Sequence, residues 1–410
     1  VFLQETQQIV GAVKISLVCE YGCIEIILPG KNHRMKEEHF DILVAGAGLS
    51  GAVIAEQYAS RSNKKVLVVE KRDHIGGNCY DYIDENGILI NQYGAHLFHT
   101  NSEAVWEYVQ QFAQWEQWEH RVLGNVDGKL VPIPVNINTV NILCGTNIRT
   151  KEEMNDWLAS VQISYDTIND SEKMAKSRVG EFLYDKIFRY YTFKQWNKYP
   201  GDLDPSVLSR IPVRNNFNDR YFDDQYQALP KKGYTLFVQN ILSHPNITVR
   251  TSTDFFSIRD KVKADIVVYT GPIDEYFKDY GLERLEYRSI EFITERYRDM
   301  DHYQPNSVIN YPGMEVPYTR VVEYKHFLNQ QSPHTTVVKE ITKDEGEPYY
   351  PVPSQRNMEL YEEYKKLAEK EKNVFFAGRL ATYKYFNMDQ AIEQALEFYK
   401  QHHEIKMLNA

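Results

Sequence analysis

Gly46-Ala47-Gly48-Leu49-Ser50-Gly51 forms a G-x-G-x-x-G string directly after an apolar run, Phe40 to Ala45, and at the head of a helical pattern. Glycines there permit a tight turn and let a pyrophosphate approach a helix N-terminus, where open N–H groups and the dipole favour an anion. Glu70 closes the next apolar run, Val66 to Val69, 22 residues beyond Gly48, the spacing at which a carboxylate meets ribose hydroxyls. The chemistry implied is dinucleotide binding, with a purely structural glycine turn as the alternative. Arg72-Asp73-His74-Ile75-Gly76-Gly77-Asn78 adds a second backbone approach beside a cation; taken alone, it would read as a solvated turn.

Taken singly, an arginine such as Arg210 or Arg320 reads as one half of a surface ion pair worth only about 0–1 kcal/mol. Tyr191, Thr192 and Trp196 fall at i, i+1 and i+5, which is no single helical stripe and fits a cleft lining. His96 and His99 have the spacing of a metal pair, but no third ligand accompanies them, so no metal is expected. The chain holds 30 tyrosines; core packing is the ordinary use of each, and only clustering would make them informative.

The elements needed to carry these residues are legible. Phe40 to Ala45, a helix to about Arg61, and Val66 to Glu70 make a βαβ opening. A helix is expected over Ser102 to Trp115 with Ser102 as N-cap, then strands Val122 to Val126 and Lys129 to Val135 around Asp127-Gly128. About 138 to 196 reads as helical, with a capping box at Thr150 to Glu153. Strands follow at Thr248 to Arg250, Ile266 to Thr270, Ser289 to Thr294 and Thr335 to Ile341, then helix, strand and helix from Asn357 to His402. The fold class is α/β: a Rossmann-like dinucleotide domain with a helical insertion and an antiparallel β-sheet layer. The expected divisions are 1–34, an extension of unknown role; 35–135, the first part of the dinucleotide domain; 136–205, helical; 206–345, antiparallel sheet and substrate region; and 346–410, a return to the dinucleotide domain.

Composition bounds the function. At 410 residues the chain exceeds the roughly 150-residue domain prior, so two to three domains or one elaborated domain are expected. A formal net charge of −10 excludes a broad basic surface for nucleic acid. The four cysteines, Cys19, Cys23, Cys79 and Cys144, form neither a zinc pattern nor a disulfide framework. No run approaches the ~18 apolar residues of a membrane span. A cytoplasmic protein without membrane or nucleic-acid partners is expected. Residues 1–34 precede Met35 and carry no secretory-signal pattern; a read-through sequence is expected, with a hairpin-like appendage as the alternative.

The glycine pair at Gly76-Gly77 and the closing Val374-Phe375-Phe376-Ala377-Gly378-Arg379 with Met388-Asp389 resemble the fingerprints of glutathione-reductase-like and amine-oxidase-like flavoproteins. Tyr93-Gly94-Ala95-His96-Leu97-Phe98-His99-Thr100, Tyr191-Thr192-Phe193-Lys194-Gln195-Trp196, Pro317-Tyr318-Thr319-Arg320 and Gly378-Arg379-Leu380 resemble the UDP-galactopyranose mutase family of bacterial type, from about Met35 to the C-terminus.

That resemblance implies an isomerase that interconverts UDP-galactopyranose and UDP-galactofuranose for surface glycans. It further implies FAD as cofactor, kept reduced by an external reductant, with N5 as the nucleophile towards the anomeric carbon. The resemblance implies cofactor contacts from Gly46, Gly48, Ser50, Gly51, Glu70, Arg72, Gly77, Asn78, His96, Leu97, His99, Arg379, Met388 and Asp389. It implies substrate contacts from Tyr191, Thr192, Trp196, Arg210, Tyr221, Asn310, Arg320, Tyr350 and Tyr385, with His99, Arg210 and Arg320 catalytic. His120 and Ile187 depart from the family's nucleotide-side pattern, and Asn387 stands where the family has Asp or Asn. A homodimer is implied. The competing readings are an amine-oxidase-like oxidoreductase and a noncatalytic flavin or sugar-nucleotide binding module.

Overall fold

The computed structural model describes residues 2–9, 12–19, 22–29 and 38–403. Five strands form a parallel sheet in the order Ile247–Arg250, Val66–Val69, Glu38–Ala45, Val262–Tyr269 and Val374–Phe376. The central strand is apolar on both faces because both are covered. Ile42 and Val44 pack with the helix Leu49–Ser62, while Phe40, Leu43 and Ala45 face a second cluster with Phe255 and Tyr269. The chain leaves this central strand at Gly46, so the glycine loop sits where strand order reverses, the usual ligand crevice of such sheets.

A second sheet of seven strands runs Lys129–Ile133, Val122–Val126, Val308–Asn310, Arg320–Glu323, Thr335–Lys343, Tyr287–Tyr297 and Tyr350–Pro351. Its register pairs Gly124 with Asn310, Asn310 with Arg320, Arg320 with Glu340, and Glu340 with Phe292. Cross-strand partners share a face, so these positions make one lateral row. The strands cross the sequence divisions drawn above. Two strands of 206–345 belong to the parallel sheet, whereas Val122–Val126 and Lys129–Ile133, from the first division, belong to the seven-stranded one.

The helix expected over Ser102 to Trp115 spans only Glu103–Gln110, because Trp115–Gln117 pairs with Tyr226–Pro230 and the Trp115 ring packs on Phe98, Trp106 and Phe237. Ser102 occupies the N-cap backbone position, but its side chain donates to Glu393 instead of capping. The Thr150/Glu153 capping box is present. The helix Ser171–Leu183 is interrupted by Gly180 in the left-handed region, where a Cβ would stand 2.5 Å from the Val161 carbonyl oxygen. A π-helix, Tyr184–Arg189, follows, and then the helix Tyr190–Trp196, ended by left-handed Asn197. Within the N-terminal extension, Phe2–Ile9, Ala12–Cys19 and Gly22–Pro29 form a separate three-stranded antiparallel sheet. Among the described residues no helix is long and apolar enough to cross a membrane.

Candidate active site

The glycine loop is built for close backbone approach. Gly46 has φ +113°, and a Cβ there would meet Thr270 Oγ1 at 2.1 Å; one on Gly51 would meet the Gly46 carbonyl oxygen at 2.0 Å. Gly48 is the N-cap of Leu49–Ser62 and supplies no side-chain cap, which leaves the first-turn N–H groups open to a ligand. The second motif lies against the first: a Cβ on Gly77 (φ +55°) would come within 2.8 Å of Gly48 Cα. The third joins them, since a Cβ on Gly378 would lie 3.1 Å from Ser50 Oγ. Three segments far apart in sequence thus converge on one loop.

They open on a cavity of about 1070 Å³, large for a small-molecule site. Gly46, Gly48, Ser50, Gly51, Glu70, Arg72, Gly77 and Asn78 line it, together with His96, Trp196, Arg379, Asn387 and Met388. Buried Glu70 accepts the N–H groups of Ala47 (2.9 Å) and Arg72 (3.0 Å), so it pins the loop as well as facing the cavity. Arg72 donates to Asn78 (3.1 Å) and lies over the Tyr93 ring at 4.3 Å. The glycine cradle, the uncapped helix start and the cavity size fit a bound dinucleotide.

His96 has a defined tautomer. Its Nδ1 is 2.7 Å from the Gly94 carbonyl, which only accepts, so Nδ1 carries the hydrogen and Nε2 is left as an acceptor. Burial lowers the imidazole to about 4, so it is neutral at physiological pH. His99, implied to lie beside the flavin, is not among the cavity-lining residues. Its ring stacks on Phe222 at 3.7 Å, and Nδ1 lies 3.1 Å from Asp224 Oδ2. Leu97 and Asp389 also lie off the lining; Leu97 packs against the main core, and Asp389 keeps one buried oxygen without a partner. The last helix begins at Met388, capped by Asn387 in a box with Gln390.

Arg379, on the cavity lining, belongs to a cluster of arginines and tyrosines. The Tyr385 ring stacks on Tyr350 (5.6 Å) and receives Arg210 and Arg379, each 4.9 Å from its centroid. Burial alone would raise the Tyr385 phenol, but Arg210, Arg379 and Arg320 outweigh it and hold the group below its ordinary value. Burial pushes Tyr350 up to about 12 and also raises Tyr191; Arg320 opposes both shifts. Tyr221 lies close enough to affect Arg210 and Tyr191. Arg320 Nε donates to Glu340 Oε2 at 2.7 Å. Although burial opposes its charge, Glu340 holds the guanidinium well above the usual range. A Cβ on Gly94 would stand 3.2 Å from Glu340 Oε1 and 3.6 Å from Arg320 Nη2, so the segment that positions His96 also abuts this pair.

The structure therefore brings Arg210, Arg320, Tyr191, Tyr221, Tyr350 and Tyr385 into one electrostatic neighbourhood, with Asn310 beside Arg320 on the adjoining strand. Thr192 and Trp196 are buried on the same short helix as Tyr191. His120 is buried against Tyr221, Phe222 and Phe327, and burial lowers it to about 3. Ile187 is buried within the π-helix. Glu340 and Asp224 carry no local signature in the sequence: each meets its partner through strand pairing or the folding of a distant loop.

A family model described as UDP-galactopyranose mutase matches residues 186–385, and one described as an NAD(P)-binding Rossmann-like domain matches residues 44–112. A probable UDP-galactopyranose mutase of Klebsiella pneumoniae is 38% identical over 362 residues, covering 87% of this chain and 93% of the relative. A dTDP-fucopyranose mutase of Escherichia coli is 37% identical, covering 87% and 96%. Among solved structures, a reduced UDP-galactopyranose mutase superposes with TM-score 0.71 at 18% identity over 91% of this chain and 94% of that one. A redesigned putrescine oxidase superposes at 0.56 with 11% identity, over 89% and 99%. The two superpositions speak to the fold alone.

Proposed function

The chain belongs to the UDP-galactopyranose mutase family, and from that premise we propose that it interconverts UDP-galactopyranose and UDP-galactofuranose with FAD held in the glycine-cradled cavity. The observation that carries the reading is the convergence of Arg210, Arg320 and Arg379 on the Tyr350/Tyr385 pair beside that cavity. Cations fixed around aromatic faces suit a nucleotide diphosphate joined to a sugar.

Bound reduced FAD would supply the nucleophile, N5, for the anomeric carbon as UDP departs. This chain's residues do the rest. Arg210 and Arg320 grip the diphosphate and stabilise the charge that develops on it. Glu340 holds Arg320 in orientation through Nε, which leaves the two Nη groups for phosphate oxygens. Tyr191, Thr192, Trp196, Tyr221, Asn310, Tyr350 and Tyr385 wall the nucleotide sugar so that its anomeric carbon faces the cavity. His96, on the cavity lining, offers neutral Nε2 as an acceptor to the cofactor, and His99 takes the place near the flavin that the family resemblance implies. The family assignment supports a cytoplasmic homodimer served by an external reductant, with product passing to surface glycans.

The test is to incubate dithionite-reduced protein with UDP-galactofuranose and follow UDP-galactopyranose by chromatography. Turnover by reduced but not oxidised protein is expected. Equal turnover in both states contradicts the proposal. The similarity to a dTDP-fucopyranose mutase motivates a parallel reaction with dTDP-fucopyranose; preference for that substrate would keep the chemistry and reassign the nucleotide sugar.

A further inference from the structure

Lys194 lies inside the Tyr191 to Trp196 motif, yet the mechanism above gives it no work. Its Nζ donates to three main-chain carbonyls, of Tyr311 at 2.5 Å, Tyr318 at 2.9 Å and Val316 at 3.3 Å. An ammonium has three donor hydrogens, and this cage can use all of them. Burial lowers Lys194 to about 8, with Glu315 opposing, so the group is still mainly charged at neutral pH.

All three carbonyls belong to the connection between the strands Val308–Asn310 and Arg320–Glu323. Asn310 directly precedes one caged residue, and Arg320 follows another by two positions. The Tyr311 N–H donates to the Thr319 carbonyl at 2.8 Å, closing the loop base. A second tie runs from the same lysine: Thr342 Oγ1 donates to the Lys194 carbonyl, and Thr342 stands two residues beyond Glu340, the partner of Arg320. Helix, loop, Arg320, Glu340 and Thr342 thus make a closed circuit that returns to the helix carrying Tyr191 and Trp196.

We infer that Lys194 is a positioning residue of the nucleotide-sugar site. Its caged ammonium locks the Tyr311–Tyr318 loop onto the helix Tyr190–Trp196 and so fixes the spacing between Arg320 and the Tyr191/Trp196 wall. A slack loop would leave the diphosphate arginine on one side and the aromatic wall on the other without a common frame. The inference deepens the proposed function and rests on it.

The test is calorimetric titration of flavin-loaded protein with UDP, together with steady-state kinetics. Lys194→Met, which keeps the stem and removes the donors, is expected to bind UDP about 10- to 100-fold more weakly, the scale of lost charged hydrogen bonds. Flavin content should stay at the wild-type level, and kcat should fall less than kcat/KM. Lys194→Arg should recover part of the affinity. In an Arg320→Ala background, Lys194→Met should cost little further UDP affinity, because the group it positions is gone.

Unchanged UDP affinity in Lys194→Met would overturn the inference, as would full additivity with Arg320→Ala. If Lys194→Met is recovered unfolded or without flavin, Lys194→Gln is measured in its place; the same loss there would make Lys194 a folding residue and overturn the positioning role. Wild-type protein that neither binds UDP nor turns over its sugar would overturn the mutase reading itself and the inference with it.

Discussion

Arg320 and Glu340 face each other on neighbouring antiparallel strands, Nε to Oε2 at 2.7 Å, while Glu340 Oε1 stays buried without a partner beside Gly94. The carboxylate is 2% exposed, so the pair is a poor source of stability in itself but costly to break. Its value lies in direction: one edge of the guanidinium is occupied and the other is free.

Two substitutions separate these roles. Arg320→Ala should lose most mutase activity while the purified protein stays yellow with bound flavin; loss of flavin would show that this arginine serves the cofactor. Glu340→Ala leaves a partly buried guanidinium without its counter-charge and should cost about 3 kcal/mol of stability. A melting temperature equal to that of the wild type would contradict the pairing.

The glycine cradle can be filled one methyl at a time. Gly77→Ala forces a side chain into the left-handed region and within 2.8 Å of Gly48 Cα. The flavin-to-protein ratio after gel filtration should drop sharply. Gly128, also at positive φ but with open space around the position a Cβ would take, is the control; Gly128→Ala should retain flavin.

Arg210 and Tyr385 are coupled. Removing the guanidinium by Arg210→Ala should raise the Tyr385 phenol, because burial is then opposed only by Arg379 and Arg320. Ultraviolet titration of this variant against Arg210→Ala/Tyr385→Phe reads the shift. The same variant should show a raised KM for the nucleotide sugar, by about tenfold or more if a charge-assisted phosphate contact is lost.

Acid should destabilise the protein through buried His120 and cavity-lining His96. His96 and His120 titrate near 4 and 3 in the folded state but near 6.5 when unfolded, so the unfolded chain takes up protons first as pH falls. Their stability contribution is complete above about pH 6.5 and is lost as pH drops towards their folded values, on the order of 1 kcal/mol per unit for each. Urea melts at pH 7 and pH 5 should show a smaller loss for His120→Gln than for wild type. Equal losses would place His120 in a solvated setting.

The cofactor side is readable from sequence because its demands are local. A strand, a glycine turn and a helix lie within a few tens of residues; Gly51 and Gly77 are required by close backbone contacts within that stretch, and Gly46 by its positive φ. Arg320 is legible through its motif, but Glu340 is not, because the register that sets them opposite depends on the whole seven-stranded sheet. The Lys194 cage is formed by carbonyls, which carry no side-chain signature at all. The expected helix at 102–115 is too long because Trp115 fits a helical apolar pattern and a strand packed against Phe98 equally well. The strands Ile247–Arg250 and Val262–Tyr269 are recognisable as strands, but not as members of the parallel sheet, since pairing across about 180 residues or more leaves no local trace.

The most direct measurement is a crystal structure of the reduced protein soaked with UDP-galactopyranose. The expected result is a flavin along the glycine cradle, the diphosphate between Arg210 and Arg320, and the anomeric carbon in van der Waals reach of N5. A sugar turned away from the ring system, or a diphosphate bound without either arginine, would contradict it.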